Sequence, residues 1–346
     1  MHPTAGVAQN NLKISILMNK AGKIFAFVTA VAAILACGCT KSGKTDKDNL
    51  RLVYWNIQNG MWDGQDDDFA RFTSWVEARN PDVCVWCEAQ PIYKSGTADQ
   101  LDDIESWRTD ERLLSFWQDM AARYGHKYVF LGGHRDNYPQ VITSKYPIKE
   151  VARITGTEEV IVSHGAGWAQ IEKNGNTVNI VTLHTWPHGY AYKAADREKS
   201  IAEHGGDYFR KAEMQYICEH TVGSVEGAEN QMWMMMGDFN SRSRVDQDIY
   251  KYEEPTTLYM VHDYIRENTP YLDVIHELYP DKFYTTTGGQ ARIDYVYCTK
   301  PLFDRIKTAR VYTDAYTAPV RDAKKISNFW HPSDHRPIVV DFDMHK

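Results

Sequence analysis

The sequence predicts an α/β (α+β) fold in which two β-sheets pack against each other between flanking helices. Two observations predict it. Short apolar runs recur along the 346 residues at close, Greek-key-like spacings, punctuated by Gly, Asn and Pro turn signals, and a few helical periodicities lie among them. Aromatic content is 12%, with ten Trp and 21 Tyr, enough to fill a large sheet core and leave rings for a cleft.

Residues 1–39 read as a targeting segment, with Met18 as an alternative initiator. Lys20 and Lys23 precede the apolar run Ile24 to Ala36, interrupted only by Thr29. At 13 residues it suits a signal peptide and is too short to span a bilayer. Ile34-Leu35-Ala36-Cys37 resembles a bacterial lipobox, with Cys39 as the alternative lipidated residue. The expectation is an exported lipoprotein, anchored in a membrane at Cys37 or Cys39 and facing the periplasm or the cell surface. Thr40 to Asn49, rich in Lys, Asp, Ser and Gly, reads as a tether, and residues 50–346 as one domain.

Within that domain Leu50 to Ile57 reads as a strand. Phe69, Phe72, Trp75 and Val76 share one face of a helix over Asp66 to Arg79, which Asn80-Pro81 stops. Asp82 to Glu88 is a strand, and Asp110 to Tyr124 a helix carrying Leu113, Leu114, Trp117 and Met120. Lys127 to Leu131, Gln140 to Ser144, Glu150 to Ile154, Trp168 to Glu172 and Asn176 to His184 follow as strands. Tyr208 to Thr221 is a helix entered after Gly205-Gly206. Met232 to Gly237, Ile293 to Cys298 and Pro337 to Phe342 complete the strands, and Val245 to Lys282 is a largely polar insert with two helical stretches.

The formal charge is −7. Cleavage after Ala36 removes three of the 39 basic residues and no acid, leaving 36 against 46, or −10. Such a chain has no global attraction for a polyphosphate. A monomer is expected. Cys84 and Cys87, three apart in a strand, point to opposite faces and do not pair; with Cys218 and Cys298 they read as buried free thiols.

Polar residues recur where apolar strands end: Asn56, Glu88, His184, Asp238 with Asn240, Asp294, and Asp334 with His335. Acids, amides and imidazoles at strand tips are costly as core but make sense as one convergent site. In an extended chain Asp238 and Asn240, two apart in Gly237-Asp238-Phe239-Asn240, point the same way.

This set resembles the endonuclease/exonuclease/phosphatase family, the Mg-dependent phosphoesterases related to deoxyribonuclease I. The matching motifs are Trp55-Asn56-Ile57, Glu88, Leu183-His184, Gly237-Asp238-Phe239-Asn240, Arg292-Ile293-Asp294-Tyr295 and Ser333-Asp334-His335-Arg336-Pro337, in the family's order. The resemblance implies a four-layer α/β/β/α sandwich of two mixed sheets. It implies that Glu88, Asn56 and Asp334 bind Mg²⁺, with Mn²⁺ as the alternative. It implies that Asp294 orients His335, which acts as general base or as a charge clamp on phosphate. Asp238 would orient or activate the attacking water. Asn240 and His184 would donate to phosphate oxygens, with His184 also placed to protonate the leaving group.

The implied activity is hydrolysis of phosphodiesters, with a phosphomonoesterase or a sphingomyelinase-like headgroup hydrolase as alternatives. The substrate class is a nucleic acid, a phospholipid headgroup or a sugar phosphate. A non-catalytic binding protein on the same fold would have lost some of Glu88, Asp238, Asn240, Asp294 and His335, and none is missing. His at position 184 resembles the deoxyribonuclease I-like and sphingomyelinase-like branches, whereas abasic-site endonucleases resembling exonuclease III carry Tyr. The inositol-polyphosphate 5-phosphatase motifs lack their Trp before Gly237 and their Pro-x-Trp-Cys-Asp-Arg around Asp294. Substrate choice is expected to lie in His134 to Tyr138 and in Thr185 to Tyr190, where Trp186, His188 and Tyr190 offer rings for stacking.

Overall fold

The computed structural model describes residues 47–187 and 206–345. The expected targeting segment and most of the expected tether lie outside them, as do His188 and Tyr190. Fourteen strands are described: β1 Asn49–Asn56, β2 Val83–Cys87, β3 Tyr128–Leu131, β4 Val141–Ser144, β5 Ile148–Gly156, β6 Ile161–Lys173, β7 Asn176–His184, β8 Met232–Asp238, β9 Tyr271–Asp273, β10 Asp294–Thr299, β11 Ile306–Val311, β12 Val320–Arg321, β13 Trp330–His331 and β14 Ile338–Asp343. The longer helices are α1 Ala70–Arg79, α2 Asp110–Arg123, α3 Asp207–Glu219 and α4 Met260–Asn268.

The strands form two six-stranded sheets, ordered β11-β14-β1-β2-β4-β3 and β5-β6-β7-β8-β10-β9, with β12 and β13 as a separate pair. Both sheets are mixed: β1–β2 and β7–β8 run parallel and their other pairs antiparallel.

Period-two alternation assigns each strand's side chains to a layer. Leu50, Leu52 and Tyr54 of β1 face Met234, Met236, Val296 and Cys298 across the interior between the sheets. Val53 and Trp55 turn outward to Phe72, Trp75 and Val76 of α1, and Trp86 to Trp117 of α2. Trp233 and Met235 of the second sheet turn outward to Met214 and Ile217 of α3 and to Val261 and Ile265 of α4. Helices thus cover both outer faces. Cys84 and Cys87 fall in different layers, and they, Cys218 and Cys298 are buried free thiols.

The polar insert is more ordered than its composition suggested. Its buried Arg292 anchor bonds Asp246 and Asp273, both at 2.8 Å, tying two parts of the insert to the start of β10. It also contributes the edge strand β9. Strands β9, β11, β12 and β13 are additions to the sequence-based order. β6 begins seven residues earlier than expected, at Ile161 instead of Trp168. Gly165 and Gly167 resemble turn signals, but Gly165 sits at φ +81° inside the strand, where a Cβ would come 2.1 Å from the Gly133 carbonyl oxygen. There residues 162–165 stand opposite Thr155 alone, between the pairs Ile154–Ala166 and Gly156–Ile161. A glycine inside a strand here marks a bulge and a close backbone approach, not an end.

Candidate active site

Strand register brings the polar tips together. His184 lies beside Asp238 in the β7–β8 pair, and Asp294 beside Asp238 in the β8–β10 pair. Asn56 ends β1 opposite Cys87, so Glu88 follows at the same edge of the first sheet. Asp334 and His335 lead into β14, the other neighbour of β1. Gly237 faces Leu183 across β7–β8, where a Cβ would come 2.1 Å from the Leu183 carbonyl oxygen; the glycine lets β8 lie close enough to present Asp238.

These tips surround one cleft of about 760 Å³, lined by Glu88, His184, Asp238, Asn240, Asp334 and His335. Asn56 and Asp294, both buried, bond to residues of that lining. A cleft of similar size, about 800 Å³, between Lys149, Glu172, Asn179 and Gln231, holds none of them. Four residues of the lining, Gln58, Asn59, Glu88 and Asn240, hold left-handed backbone, at φ +43°, +50°, +52° and +44°. Such conformations cost on the order of 1 kcal/mol each and cluster where geometry serves a site.

Asp294 uses both carboxylate oxygens. Tyr54 donates its hydroxyl to Oδ1 at 2.7 Å, and His335 donates Nδ1–H to Oδ2 at 2.7 Å. His335 Nε2 then faces Asp238 Oδ2 at 3.7 Å and Asp334 Oδ1 at 3.9 Å. The His335 backbone is fixed as well: its carbonyl accepts from Trp55 Nε1 at 2.9 Å and its N–H donates to Ser333 Oγ at 3.1 Å. Burial opposes charge on this ring, but Asp294, Asp334 and Asp238 prevail and hold it well above the usual histidine range.

Asp238 accepts from Asn56 Nδ2 at 3.1 Å and from the Asn240 N–H at 2.9 Å. Burial, then the nearby Asp294 charge, pushes its carboxyl up to about 8, with His335 pulling the other way. His184 Nε2 lies 3.7 Å from Asp238 Oδ2. Burial and the neighbouring His164 and His335 rings push His184 well below the usual range.

One expectation changes here. The extended chain does not persist past Asp238: Asn240 turns left-handed, and its Nδ2 donates to the Thr185 carbonyl at 2.9 Å. Asn56 was expected to offer its oxygen to a metal. That Oδ1 accepts one bond, from the Gln58 N–H at 3.1 Å in the left-handed turn after β1, which leaves its second lone pair for a cation, while Nδ2 donates to Glu88 and Asp238.

The donor set fits a hard divalent cation. Burial, then the like charge of Asp334, raises Glu88 above the ordinary carboxylate range, so these two carboxylates gain from a cation between them. Asn59 Oδ1 and Gln58 Oε1, on the same lining, are buried oxygens without a hydrogen-bond donor. Among the described residues, Asp238, Asp294 and His335 offer ligand atoms within 4.8 Å of one another. Both oxygens of Asp294 are already engaged, which suits that trio to proton handling better than to a metal.

Sequence reasoning missed Tyr54, Asn59, His164 and Trp330. Tyr54 and Asn59 flank the Trp55-Asn56-Ile57 motif, and His164 sits in the bulge hidden by its glycines. Of the two stretches expected to select substrate, Asp136 and Tyr138 of the first and Trp186 and Pro187 of the second line the cleft.

The fold is similar to solved structures of low identity. An AP endonuclease from Archaeoglobus fulgidus is 16% identical over 85% of this chain and 99% of its own, with a TM-score of 0.55. The human Nocturnin catalytic domain with bound sulfate anion is 15% identical over 86% and 94%, with a TM-score of 0.51. At such identities the likeness speaks for the fold alone. No curated protein sequence matches the chain. The pattern of the Endonuclease/Exonuclease/phosphatase family matches residues 53–335, a span that holds every site residue named above, and the chain belongs to that family.

Proposed function

We propose that this chain is a metal-dependent phosphoesterase that hydrolyses phosphodiester bonds by in-line attack of an activated water. Family membership makes it a hydrolase of the phosphate-ester class. The observation that carries the finer reading is the Asp294–His335 pair, which presents Nε2 to Asp238 on the wall of a cleft that also holds Glu88 and Asp334.

Asp294 fixes the His335 ring, so its Nε2 is the atom that meets substrate, as a proton acceptor or as a clamp on phosphate oxygen. Asp238, held by Asn56 and the Asn240 N–H, takes up the position of a base for water. His184, held neutral by its surroundings, suits hydrogen bonding to the phosphate more than a standing positive charge. Glu88 and Asp334 would hold Mg²⁺ or Mn²⁺, with Asn59 and Gln58 oxygens nearby; when bound, that ion supplies charge balance at the phosphoryl oxygens. No covalent intermediate is required.

A panel of bis-p-nitrophenyl phosphate, p-nitrophenyl phosphate, plasmid DNA, sphingomyelin and inositol phosphates, each with Mg²⁺, tests the reading. Turnover of a diester above the monoesters, lost with EDTA and restored by Mg²⁺, is expected. Turnover that survives EDTA, or a preference for monoesters, would contradict it.

A further inference from the structure

His164 is a cleft residue that neither the family motifs nor the expected roles account for. It sits in the β6 bulge, a feature that redirects a side chain out of the regular pleat. Its Nδ1 lies 2.6 Å from Asp136 Oδ2, and the side chain is 2% exposed. Its Nε2 is buried without a hydrogen-bond partner, and the residue lines the cleft. A buried polar atom left unpaired is destabilising, so its presence in a cleft points to a ligand that completes it.

The surroundings hold this ring in place. It lies 4.3 Å from the His184 ring and 5.5 Å from the Trp186 ring, nearly parallel to the latter at 22°, with Tyr138 edge-on at 5.1 Å. Glu213 of α3 accepts from the backbone N–H groups of Ser163 and Trp186, both at 3.1 Å. One helix carboxylate therefore fixes the chain beside both histidines.

We propose that His164 is a further substrate-contacting residue, an Asp136-backed imidazole whose Nε2 binds a phosphate oxygen on the Trp186 side of the cleft. The proposal rests on the phosphoesterase reading. Asp136 accepts Nδ1–H and so leaves Nε2 as the ring's free nitrogen, the atom that would hydrogen-bond to a phosphate oxygen. The His164 and His184 rings lie tilted at 36° to one another, and His164, not His184, is the one with a carboxylate at hydrogen-bond distance. The cleft then has two carboxylate-backed imidazoles, Asp294–His335 and Asp136–His164, with His184 close to both.

The test is competitive inhibition by inorganic phosphate, with KM and kcat for bis-p-nitrophenyl phosphate, in wild type, His164→Ala and Asp136→Asn. His164→Ala should weaken phosphate inhibition at least about tenfold and raise KM more than it lowers kcat. Asp136→Asn, which keeps the ring, should move both in the same direction and provides the second variant if His164→Ala does not fold. Phosphate inhibition and KM within twofold of wild type in a folded variant would overturn the proposal, while loss of turnover in a His335 variant would leave the phosphoesterase reading standing. If wild type turned over no phosphate ester, that reading would fail on its own. Calorimetric titration with inorganic phosphate would still decide: tenfold weaker binding by His164→Ala supports the contact, and equal binding removes it.

Discussion

Asp294 is the residue whose surroundings say most about chemistry. Its carboxylate is buried, yet each oxygen receives one donor, the Tyr54 hydroxyl and His335 Nδ1–H, so the charge is held without exposure. Under the proposed mechanism Asp294→Asn keeps the shape but removes the charge that orients and supports His335. We expect kcat to fall roughly 10²–10⁴-fold with KM little changed. Steady-state kinetics on a diester check this, and a kcat within fivefold of wild type would show that His335 works without its carboxylate. The polar type at each strand tip was legible in the sequence because acids, amides and imidazoles stand out after apolar runs. The hydrogen-bond partner of each was not. Asn56 could use its oxygen, its amide N–H groups or both, and only the turn after β1 shows Nδ2 on Glu88 and Asp238 with the Gln58 N–H on Oδ1. His164 was invisible for a related reason: the glycines that open its bulge look like the end of a strand.

Among elements, β7 and α2 were the most legible. The β7 bounds match the expectation at both ends, and α2 runs from Asp110 to within one residue of its expected end, capped by Thr109 Oγ1 accepting from the Arg112 N–H at 3.3 Å. Short strands such as β9 and β11 were not, because a handful of residues with half-buried alternation is common in loops too. Elements are joined by buried polar bridges whose protonation carries stability. His126 links the end of α2 to the first sheet, with Nδ1 2.9 Å from Thr143 Oγ1 and Nε2 2.9 Å from the Pro81 carbonyl oxygen. Burial pushes this ring down to about 4. The folded value lies below the unfolded one, so the unfolded chain takes the proton first. The contribution is whole above about pH 6.5 and is lost as pH falls toward 4, at roughly 1.4 kcal/mol per pH unit. Urea unfolding at pH 7 and pH 5 should show His126→Gln losing less stability over that interval than wild type, by roughly 2 kcal/mol. Equal losses would mean that the ring is charged in the folded protein.

At the scale of the molecule, the sandwich explains why the site is where it is. Each sheet contains one parallel pair at its centre, β1–β2 and β7–β8, and the tips of these strands meet at one edge of the two packed sheets. Closely spaced, near-continuous apolar runs with a few helical periodicities among them made that architecture legible, since a central strand must bury both faces between a second sheet and a helix. Substrate choice was less legible, because it depends on segments such as Trp186 and on Trp330 of the β12–β13 pair that stand over the cleft without a fixed motif. The central claim is that the Asp294–His335 pair and its acidic neighbours hydrolyse phosphodiesters. The most direct test is the initial rate of bis-p-nitrophenyl phosphate hydrolysis with Mg²⁺ by wild type and by His335→Asn, with circular dichroism verifying the fold of each. The kcat of the variant should be at least about 10³-fold lower; a folded His335→Asn protein that turns over within tenfold of wild type would rule out this role for His335.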